Sequence, residues 1–580
     1  MSELEIAKMK ESTMEALVQE ILDQVKTPEL RAYVTDLLLE ICQVDTSPFA
    51  DVSLMREAED KVFQSLEREF AKLPFPGAHL ERRAMNPAIQ DHPGFSQLHF
   101  TKTESRPQGL SAEETYRDRC NLLYYVPDAD GREEKGVALN AHIDVVKPFF
   151  PPRLENGIMY GRGACDDKGS VVTMLAALKV LAAVLKKAGR RLRRNIVSMC
   201  VIEEEPGGNG SLSLAIDREL KKLYDTILVL ECCGNNIHPA NRGAVWYRAD
   251  LSCPGINLFE MSAFVYEQME LEGRAIKAES RHPLFPQRPV QTCHGQIGHY
   301  GEHPSRICGE VAFEICFDGK INAQVQHLVE DGIASALADY LALYGDKTKV
   351  NDPTTGKPKV DHHYDLEVLA DRMVCKVHGS TGHMGSIMEN DGAITKMACL
   401  VRMLYRMKGK LRQASGGEVT LKLHAEEDAA VLKLEGGQGF VPTHEISEVM
   451  ERMRRAAVDG AAAYLHLEGN ATAASDCVKV SYDKLHNAAF DGDPDSPQMR
   501  NAIAAGKAAG IWKEGQEVIG WTVSCDSRLF AFEYPEMPVL TSGAGLLQYA
   551  HSDSEQVLIE DLLKSIAFVA IYLLREAGVA

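Results

Sequence analysis

The chain has 580 residues, of which 45% are hydrophobic and 25% charged, and its formal net charge at pH 7 is −20. A chain of this length predicts two or more folded domains. The acidic balance argues against a nucleic-acid partner, because binding to a phosphate backbone needs dense positive charge. The sequence also carries no zinc-finger spacing, P-loop or GxGxxG turn.

No stretch of about 20 residues is both apolar and uncharged, so we expect no membrane span. The best candidate, SIAFVAIYLL at 565–574, is too short and is expected to be a buried helix. The first ten residues, MSELEIAKMK, lack the basic-then-apolar layout of a secretory signal. The 14 cysteines are scattered and fit a reducing compartment. We therefore expect a cytoplasmic protein.

The first part of the chain predicts an α/β domain. Apolar spacing is helical from residue 12 to about 45, and short apolar runs then alternate with helical patterns. Strands are expected at 136–146, 195–205 and 225–233, with helices at 170–189 and 211–225. Such alternation predicts a mainly parallel sheet covered on both faces. In such sheets, ligands bind beyond the carboxyl ends of the strands.

A looser region follows and predicts an inserted α+β domain. Proline-rich and glycine-rich loops there separate strand-like pieces from amphipathic helices, and α/β texture resumes near residue 475. We expect the catalytic domain at 1–245 and 475–580, and the inserted domain at 246–474, with an extra insertion at 250–373. No clear internal repeat is visible, and a diverged duplication within the insert stays open.

Acidic and histidine residues follow the expected strands. The candidates are His142 and Asp144 in NAHIDVV, Asp166 in GRGACDDKG, Glu204 and Glu205 in VIEEEPGG, Glu231 in VLECCG, and His551 in QYAHSDSEQ. Two imidazoles and three carboxylates can bind two metal ions, with one carboxylate bridging them. This donor set suits zinc, or cobalt or manganese in its place. Because His142 and Asp144 share a strand face, Asp144 can orient the imidazole.

These stretches resemble the co-catalytic metallopeptidase family of acetylornithine deacetylase, succinyl-diaminopimelate desuccinylase, aminoacylase-1 and glutamate carboxypeptidase. The matching elements are HIDVV, GRGACDDKG, EEEPGGNG, LVLECC, GSTGHMGS, CDSRLF and GAGLLQYAHSDSE. They span roughly residues 140–245 and 374–555. The resemblance implies a zinc-peptidase-like α/β catalytic domain with a mainly parallel central sheet. It also implies an inserted α+β lid of the dimerisation type, here enlarged by an extra segment.

The resemblance also implies a role for each metal-site residue. One metal would be held by His142, Asp166 and Glu231, and the other by Asp166, Glu205 and His551. Asp166 would bridge the two metals. Glu204 would be the general base, whereas Glu203 is expected to be solvated or to lie behind the ligands.

Further family positions concern the substrate. His383 in GSTGHMGS matches a lid histidine that stabilises the oxyanion, often from a partner subunit. Arg242 and Arg528 match carboxylate-binding positions, for which a guanidinium fork is suited, although a structural salt bridge is an equal alternative for each. The TSGAG loop, which includes Gly543, would line the substrate backbone.

The expected function is therefore hydrolysis of an amide bond in an N-acyl amino acid or a short peptide with a free carboxylate. The family tendency of a Glu at the position of Glu231 favours deacylases and carboxypeptidase-like enzymes. The alternatives are a broad dipeptidase and a non-catalytic relative that binds a ligand. A homodimer through the lid and a monomer whose enlarged lid replaces the partner's both stay open.

Other polar clusters are weaker metal candidates. His294, His299 and His303 lie close together in the sequence, as do His362 and His363, but neither group has a recognised ligand spacing. We expect both groups on surface loops. Cysteines 165, 232 and 233 adjoin proposed ligands and are expected to fill space rather than bind metal.

Overall fold

The computed structural model describes residues 3–129, 131, 134–352, 355–388, 390–425, 430–482 and 486–580. The chain divides into two compact units. The first unit comprises Met1–Arg242, Pro283–Pro286 and Asn487–Ala580, and the second comprises Gly243–His282 and Gln287–His486.

The first unit is built on a seven-stranded sheet. In spatial order its strands are His79–Ala84, Cys120–Val126, Ile196–Val201, Gly136–His142, Tyr224–Leu230, Val539–Ser542 and Ile237–His238. The four strands from Ile196–Val201 to Val539–Ser542 are parallel, and the flanking strands are antiparallel. The predicted α/β fold with a mainly parallel central sheet is therefore confirmed.

Helices cover this sheet. They are Glu3–Val25, Pro28–Cys42, Val52–Phe70, Ala112–Tyr116, Lys168–Ala188, Asn209–Ala215, Pro497–Ala509, Ser527–Glu533 and Ile559–Ala577. The helix expected at 211–225 is shorter than predicted, because it ends at Ala215 and a 3-10 turn at Leu220–Lys222 follows. The strand Gly136–His142 is buried along its whole length, as expected for a strand with both faces covered.

One helix of the described chain, Lys168–Ala188, is long and apolar enough to cross a membrane. Its apolar window is 89% buried inside the protein, which is typical of a core helix. It packs against the C-terminal helix Ile559–Ala577, which contains the apolar run noted in the sequence. Burial therefore explains the apolar character of both helices.

The second unit contains two modules with the same topology. The outer module has strands Gly243–Leu251, Thr292–Ile297, Leu432–Phe440 and Val478–Ser481, and helices Leu258–Glu279 and Ile446–Leu467. The inner module has strands Glu310–Phe317, Tyr364–Val368, Arg372–His378 and Val419–Leu423, and helices Ala323–Tyr344 and Ala393–Ser415. Both sheets are antiparallel with spatial order second, third, first, fourth. Each module is therefore a split βαββαβ unit.

The inner module is inserted between the second and third strands of the outer one. The helices Leu258–Glu279 and Ala393–Ser415 pack together, and the Lys408 ammonium lies 2.9 Å from the Glu260 carboxylate. A short antiparallel pair, Arg306–Ile307 with Gly382–His383, also connects the modules. The insert therefore contains two modules of the same topology, one nested in the other, although no repeat is visible in the sequence.

The boundaries of the two units differ from the domain boundaries expected from the sequence. Val478–Ser481, assigned from sequence to the catalytic domain, pairs with Gly243–Leu251 in the second unit because its ladder completes the outer sheet. The first unit resumes at Asn487. The expected extra segment at 250–373 begins inside the outer module and ends inside the inner one, whereas the nested repeat runs from Glu310 to Leu423.

Candidate metal centre

Parallel strands bring the candidate ligands to one edge of the central sheet. His142 ends one strand, Glu204 and Glu205 follow the neighbouring strand Ile196–Val201, and Glu231 follows Tyr224–Leu230. Carboxyl ends of parallel strands lie at the same sheet edge, where ligands bind. Asp166 and His551 reach the same place from loops, since both contact this group.

Asp166 lies between the two histidines. Its Oδ1 is 3.2 Å from His142 Nε2, and its Oδ2 is 3.3 Å from His551 Nε2. Glu205 Oε2 lies 3.1 Å from His551 Nε2, and Glu231 Oε1 lies 3.9 Å from His142 Nε2. One carboxylate thus faces two imidazoles through different oxygens, and each imidazole faces a further carboxylate.

Asp144 sets the tautomer of His142. His142 Nδ1 lies 3.0 Å from the main-chain oxygen of Asp144 and 3.4 Å from its carboxylate Oδ1. Nδ1–H is therefore the donor in the neutral ring, which leaves the Nε2 lone pair directed at Asp166. The structure gives Asp144 the orienting contact expected from the sequence.

Asp144 has a second contact that the sequence did not reveal. Its Oδ1 accepts the main-chain N–H of Glu204 at 3.0 Å, and its Oδ2 accepts the N–H of Glu205 at 3.0 Å. The same carboxylate therefore connects His142 with the turn that presents both glutamates.

Burial and the crowding of acidic groups shift the pKa values of this cluster. Burial lowers the pKa of His551, but the charges of Glu205 and Asp166 outweigh burial and raise it to about 10. Burial, followed by the charge of Asp526, raises the pKa of Glu204 well above its usual value, and burial together with neighbouring carboxylates does the same for Glu231. Carboxylates outnumber imidazoles here, and bound cations would balance the excess.

The donor set fits two divalent metals. Two ligands about 2.1 Å from a tetrahedral metal lie roughly 3.4 Å apart, close to the 3.1–3.3 Å that separate the histidine nitrogens from Asp166 and Glu205. Reactive atoms of His142, Glu204 and Glu231 also lie within 4.8 Å of one another. The geometry thus brings together all seven residues predicted for the metal site and its base.

Glu555 supports the Asp166 turn, and sequence reasoning missed it. Its Oε1 accepts the main-chain N–H groups of Gly163, Cys165 and Asp166 at 2.8–3.1 Å, and its Oε2 accepts from the buried Arg162. Glu555 closes the HSDSE motif that the resemblance used, and the acidic end of that motif was the available signal.

Glu203 does not have the solvated position that was one expectation for it. Its side chain is 1% exposed and bonds to Arg119 and to the Tyr116 hydroxyl. The correction has a physical reason, because a buried cation and a buried phenol accommodate a charge that water would otherwise hold. The adjacency of three carboxylates in the sequence could not reveal partners some 80 residues away.

The substrate candidates of the first unit have different environments. Arg528 is buried, and its Nη2 donates to the Gly207 carbonyl at 2.9 Å, within the turn that carries Glu204. Arg242 is fully buried and its Nε donates to the Thr522 carbonyl. Gly543 has φ +152°, and an added Cβ would lie 2.3 Å from the Glu231 carbonyl oxygen. A glycine at this position thus permits close packing behind Glu231.

His383 belongs to the second unit. Its Nδ1 accepts the N–H of Gly385 at 2.9 Å, and its main chain pairs with Arg306. An accepting Nδ1 means that the neutral ring carries its proton on Nε2. His383 therefore presents an N–H donor from a fixed ring.

The two other histidine groups separate in the fold. His294 is buried against Tyr247, whereas His303 bonds to Ser305. His363 contacts Asp346, whereas His362 joins Asp365 and His378 on the surface. The surface-loop prediction is therefore wrong for His294, which is buried on the strand Thr292–Ile297 with its Nδ1 at the Tyr247 hydroxyl.

The cysteines beside the ligands are buried free thiols. Cys165, Cys232 and Cys233 are all buried. The Cys232 sulfur lies within 4.8 Å of ligand atoms of Asp166 and Glu231. Burial raises the pKa of the Cys233 thiol well above its usual value, which keeps it uncharged.

Curated relatives align with short stretches of the chain. A LysW-lysine/LysW-ornithine hydrolase from Saccharolobus islandicus is 31% identical over 85 residues, which is 14% of this chain and 25% of that relative. A peptidase M20 domain-containing protein from Schizosaccharomyces pombe is 32% identical over 108 residues, which is 19% of this chain and 25% of that relative. The chain thus matches about a quarter of the length of these relatives.

Similarity to solved structures extends over nearly the whole chain. The di-peptidase Dug1p from Saccharomyces cerevisiae superposes with a TM-score of 0.56 at 14% sequence identity, covering 97% of this chain and 98% of that chain. This likeness shows a shared fold. The sequence model of peptidase family M20/M25/M40 matches residues 138–575, which contain every metal-ligand candidate. The chain therefore belongs to this family of peptidases, hydrolases that act on C–N bonds, as the resemblance predicted.

Proposed function

We propose that the protein is a two-metal hydrolase that cleaves an amide bond in an N-acyl amino acid or a short peptide with a free carboxylate. The single observation that carries this proposal is the position of Asp166, whose two oxygens face His142 and His551 separately. A buried carboxylate that divides its oxygens between two imidazoles, with the buried Glu205 and Glu231 beside those imidazoles, is suited to bridge two metals.

In this proposal His142, Asp166 and Glu231 hold one metal, and Asp166, Glu205 and His551 hold the other. Zinc suits the nitrogen and oxygen donors best, with cobalt or manganese as substitutes. When bound, such ions polarise the scissile carbonyl and lower the pKa of water from 15.7 toward about 7.

Glu204 is the proposed proton carrier. One of its carboxylate oxygens lies within 4.8 Å of ligand atoms of His142 and Glu231. Its raised pKa suits a group that takes a proton from water and returns it to the leaving amine. Asp144 positions it by accepting its main-chain N–H.

His383 is the proposed oxyanion donor. The Gly385 N–H donates to its Nδ1, which places the proton of the neutral ring on Nε2, and an imidazole N–H is a suitable donor to the oxygen of a tetrahedral intermediate. We favour a self-sufficient chain over a lid-mediated homodimer, because the second unit already contains two modules of the same topology. A sedimentation mass of two chains in the active sample would favour the homodimer instead.

Arg528 is the better candidate for the substrate carboxylate. It is buried beside the Glu204 turn, and within the described residues its Nε has no hydrogen-bond partner. The Arg242 guanidinium already donates to Thr522, which favours a structural role. A broad dipeptidase is the alternative function, and the di-peptidase fold neighbour is consistent with it. The third candidate is a non-catalytic relative that binds a ligand.

The test measures metal content per chain by elemental analysis after zinc loading and gel filtration. We expect two tightly held ions, followed by turnover in a panel that sets N-acyl amino acids against unblocked dipeptides. Hydrolysis of dipeptides alone would favour the dipeptidase. Fewer than two ions would contradict the two-metal proposal, and ligand binding without turnover would favour the non-catalytic relative.

A further inference from the structure

Glu203 is the innermost charge of the acidic triplet. Its carboxylate Oε1 accepts from Arg119, and its Oε2 accepts the Tyr116 hydroxyl proton at 2.7 Å. Both partners are buried and belong to the segment that leads into the strand Cys120–Val126. The Glu203 carboxylate is therefore bound by two buried groups that have no access to water as an alternative partner.

Arg119 is itself anchored on its other side. Its Nε donates to Glu59 Oε2 at 3.0 Å and its Nη2 to Glu59 Oε1 at 2.5 Å. Glu59 lies on the helix Val52–Phe70. One guanidinium thus connects a helix of the first unit to Glu203 through charge-assisted bonds, which are the strong and directional ones.

A second set of bonds holds Tyr116. The Asn209 side chain donates to the Tyr116 oxygen at 2.8 Å and to the Ser96 carbonyl at 2.9 Å. The Ser96 hydroxyl in turn donates to the Gly207 carbonyl at 2.9 Å. These bonds fix the turn at a point beyond the two glutamates, so the anchor has contacts on both sides of Glu204.

The backbone at Glu203 has a conformation that needs such support. Its φ is +60°, a left-handed value that residues other than glycine rarely adopt. The Glu203 carbonyl accepts the Gly208 N–H at 2.7 Å, which closes the turn. This conformation directs the next two N–H groups, those of Glu204 and Glu205, at the Asp144 carboxylate.

We propose that Glu203 is a positioning residue, which Arg119 and Tyr116 grip so that the following turn presents Glu204 to water and Glu205 to metal. The inference rests on the proposed two-metal function and extends it to a carboxylate that touches neither metal nor substrate. Strain stored at a site persists only when surrounding contacts over-determine it, and here buried bonds to Glu203 supply those contacts.

The experiment compares Glu203→Gln with Glu59→Gln. Both substitutions remove one carboxylate charge from the same buried guanidinium, but only the first loosens the turn. For Glu203→Gln we expect kcat to fall about 10–100-fold with little change in KM, and the zinc dissociation constant to rise by a similar factor. The zinc constant is measured by competition with a chelating dye, without turnover. Glu59→Gln leaves both bonds of Glu203 in place and acts on it only through Arg119, so it should change both quantities by a clearly smaller factor.

Tyr116→Phe provides a second variant. It keeps the ring and removes only the hydroxyl that bonds Glu203, so it should shift kcat and zinc affinity in the same direction by a smaller factor. It remains informative if Glu203→Gln does not fold. Melting temperatures of all three variants, measured without metal, separate loss of stability from loss of positioning.

Equal changes in Glu203→Gln and Glu59→Gln would overturn the inference, because the network would then act only on stability. Wild-type kcat and zinc affinity in Glu203→Gln would overturn it as well. Failure of the proposed function has a different signature, since the wild type itself would then bind no zinc tightly, and that result would refute both. A wild type that binds zinc but hydrolyses nothing still tests the inference through zinc affinity.

Discussion

Two clusters in this protein share one arrangement and differ in their surroundings. In the first unit, Asp166 places one oxygen 3.2 Å from His142 and the other 3.3 Å from His551. In the inner module, Asp365 places its oxygens 3.0 Å from His362 and 2.8 Å from His378. Both clusters therefore have an aspartate between two imidazoles at hydrogen-bond range.

Burial and charge separate the two clusters. The side chains of His142 and Asp166 are 2% and 9% exposed, whereas those of His362 and Asp365 are 55% and 62% exposed. At the surface, hydrogen bonds from the two histidines lower the pKa of Asp365, and water solvates the remaining exposed part of its carboxylate. In the buried cluster, further carboxylates leave negative charge that no imidazole balances.

The comparison teaches that ligand geometry alone does not identify a metal centre. An aspartate between two histidines is equally well explained by ordinary hydrogen bonds when water reaches it. Uncompensated carboxylates in a dry site are costly, and a cation relieves that cost. Buried excess charge is therefore the feature that distinguishes the catalytic candidate from the surface cluster.

The largest expected effect comes from Glu204→Gln. The substitution keeps size and removes proton affinity, so kcat should fall about 10²–10⁴-fold, the range for general acid–base catalysis. The metals should stay, because their closest donors are intact. Steady-state kinetics together with elemental analysis check both points. If the variant retained turnover, Glu204 would not be the base.

The comparison itself is tested by His551→Ala beside His378→Ala. Loss of His551 should remove one of the two proposed metals and abolish most turnover, because an imidazole that bridges to Asp166 and Glu205 is gone. Loss of His378 should leave metal content and turnover as in the wild type. Elemental analysis of both variants after zinc loading measures the difference, and a lower metal count in His378→Ala would make the surface cluster a metal site as well.

Carboxylates behind each histidine sharpen the comparison further. Asp144 Oδ1 lies 3.4 Å from His142 Nδ1, and Glu310 Oε2 lies 3.8 Å from His378 Nδ1. Asp144→Asn should weaken zinc binding about 10–100-fold, since it disturbs both the imidazole and the glutamate turn. Glu310→Gln is the matched control and should change neither zinc affinity nor kcat. Dye competition gives the affinities, and equal values for both variants would contradict the role of Asp144.

His238, a histidine outside both clusters, tests how burial without a carboxylate partner changes a histidine pKa. Burial lowers its pKa from the ordinary value of about 6.5 to about 4, although Nδ1 bonds to the Ile519 carbonyl. The unfolded chain therefore binds a proton in that window while the native chain does not, so stability is full above pH 6.5 and falls as the pH decreases toward 4. The loss is about 3 kcal/mol.

His238→Asn removes this titration and keeps a side-chain N–H. Urea unfolding of both proteins at pH 7 and pH 4.5 should show a smaller acid destabilisation in the variant. The acid effects of the carboxylate cluster are common to both proteins and cancel in the difference. An identical pH dependence in both proteins would show that His238 titrates normally.

Much of the centre was predictable because its residues stand at strand ends in one α/β pattern. His142, Glu205 and Glu231 each follow an apolar run, and parallel strands with covered faces must bring those ends together. Asp166 and His551 were placed by resemblance, since loop residues have no periodicity to locate them.

The remaining parts depended on contacts distant in the sequence. The burial of Glu203 depends on its bonds to Arg119 and Tyr116, and no local sequence pattern marks either residue as its partner. The shared topology of the two modules was also invisible in the sequence, because a split βαββαβ unit is defined by strand order, and very different sequences can adopt one strand order. The boundary near residue 475 was misplaced for the same reason, since Val478–Ser481 reads as a strand of either domain.

The position of Val539–Ser542 inside the central sheet has a consequence for folding during synthesis. This strand lies between Tyr224–Leu230 and Ile237–His238, about 300 residues earlier in the chain, and it precedes His551. During synthesis, the strand next to Tyr224–Leu230 is therefore missing until residues 539–542 have been made, after the whole second unit. Until then the sheet has a gap beside Glu231. The proposed metal centre can be completed only after that gap closes, because His551 follows this strand in the chain.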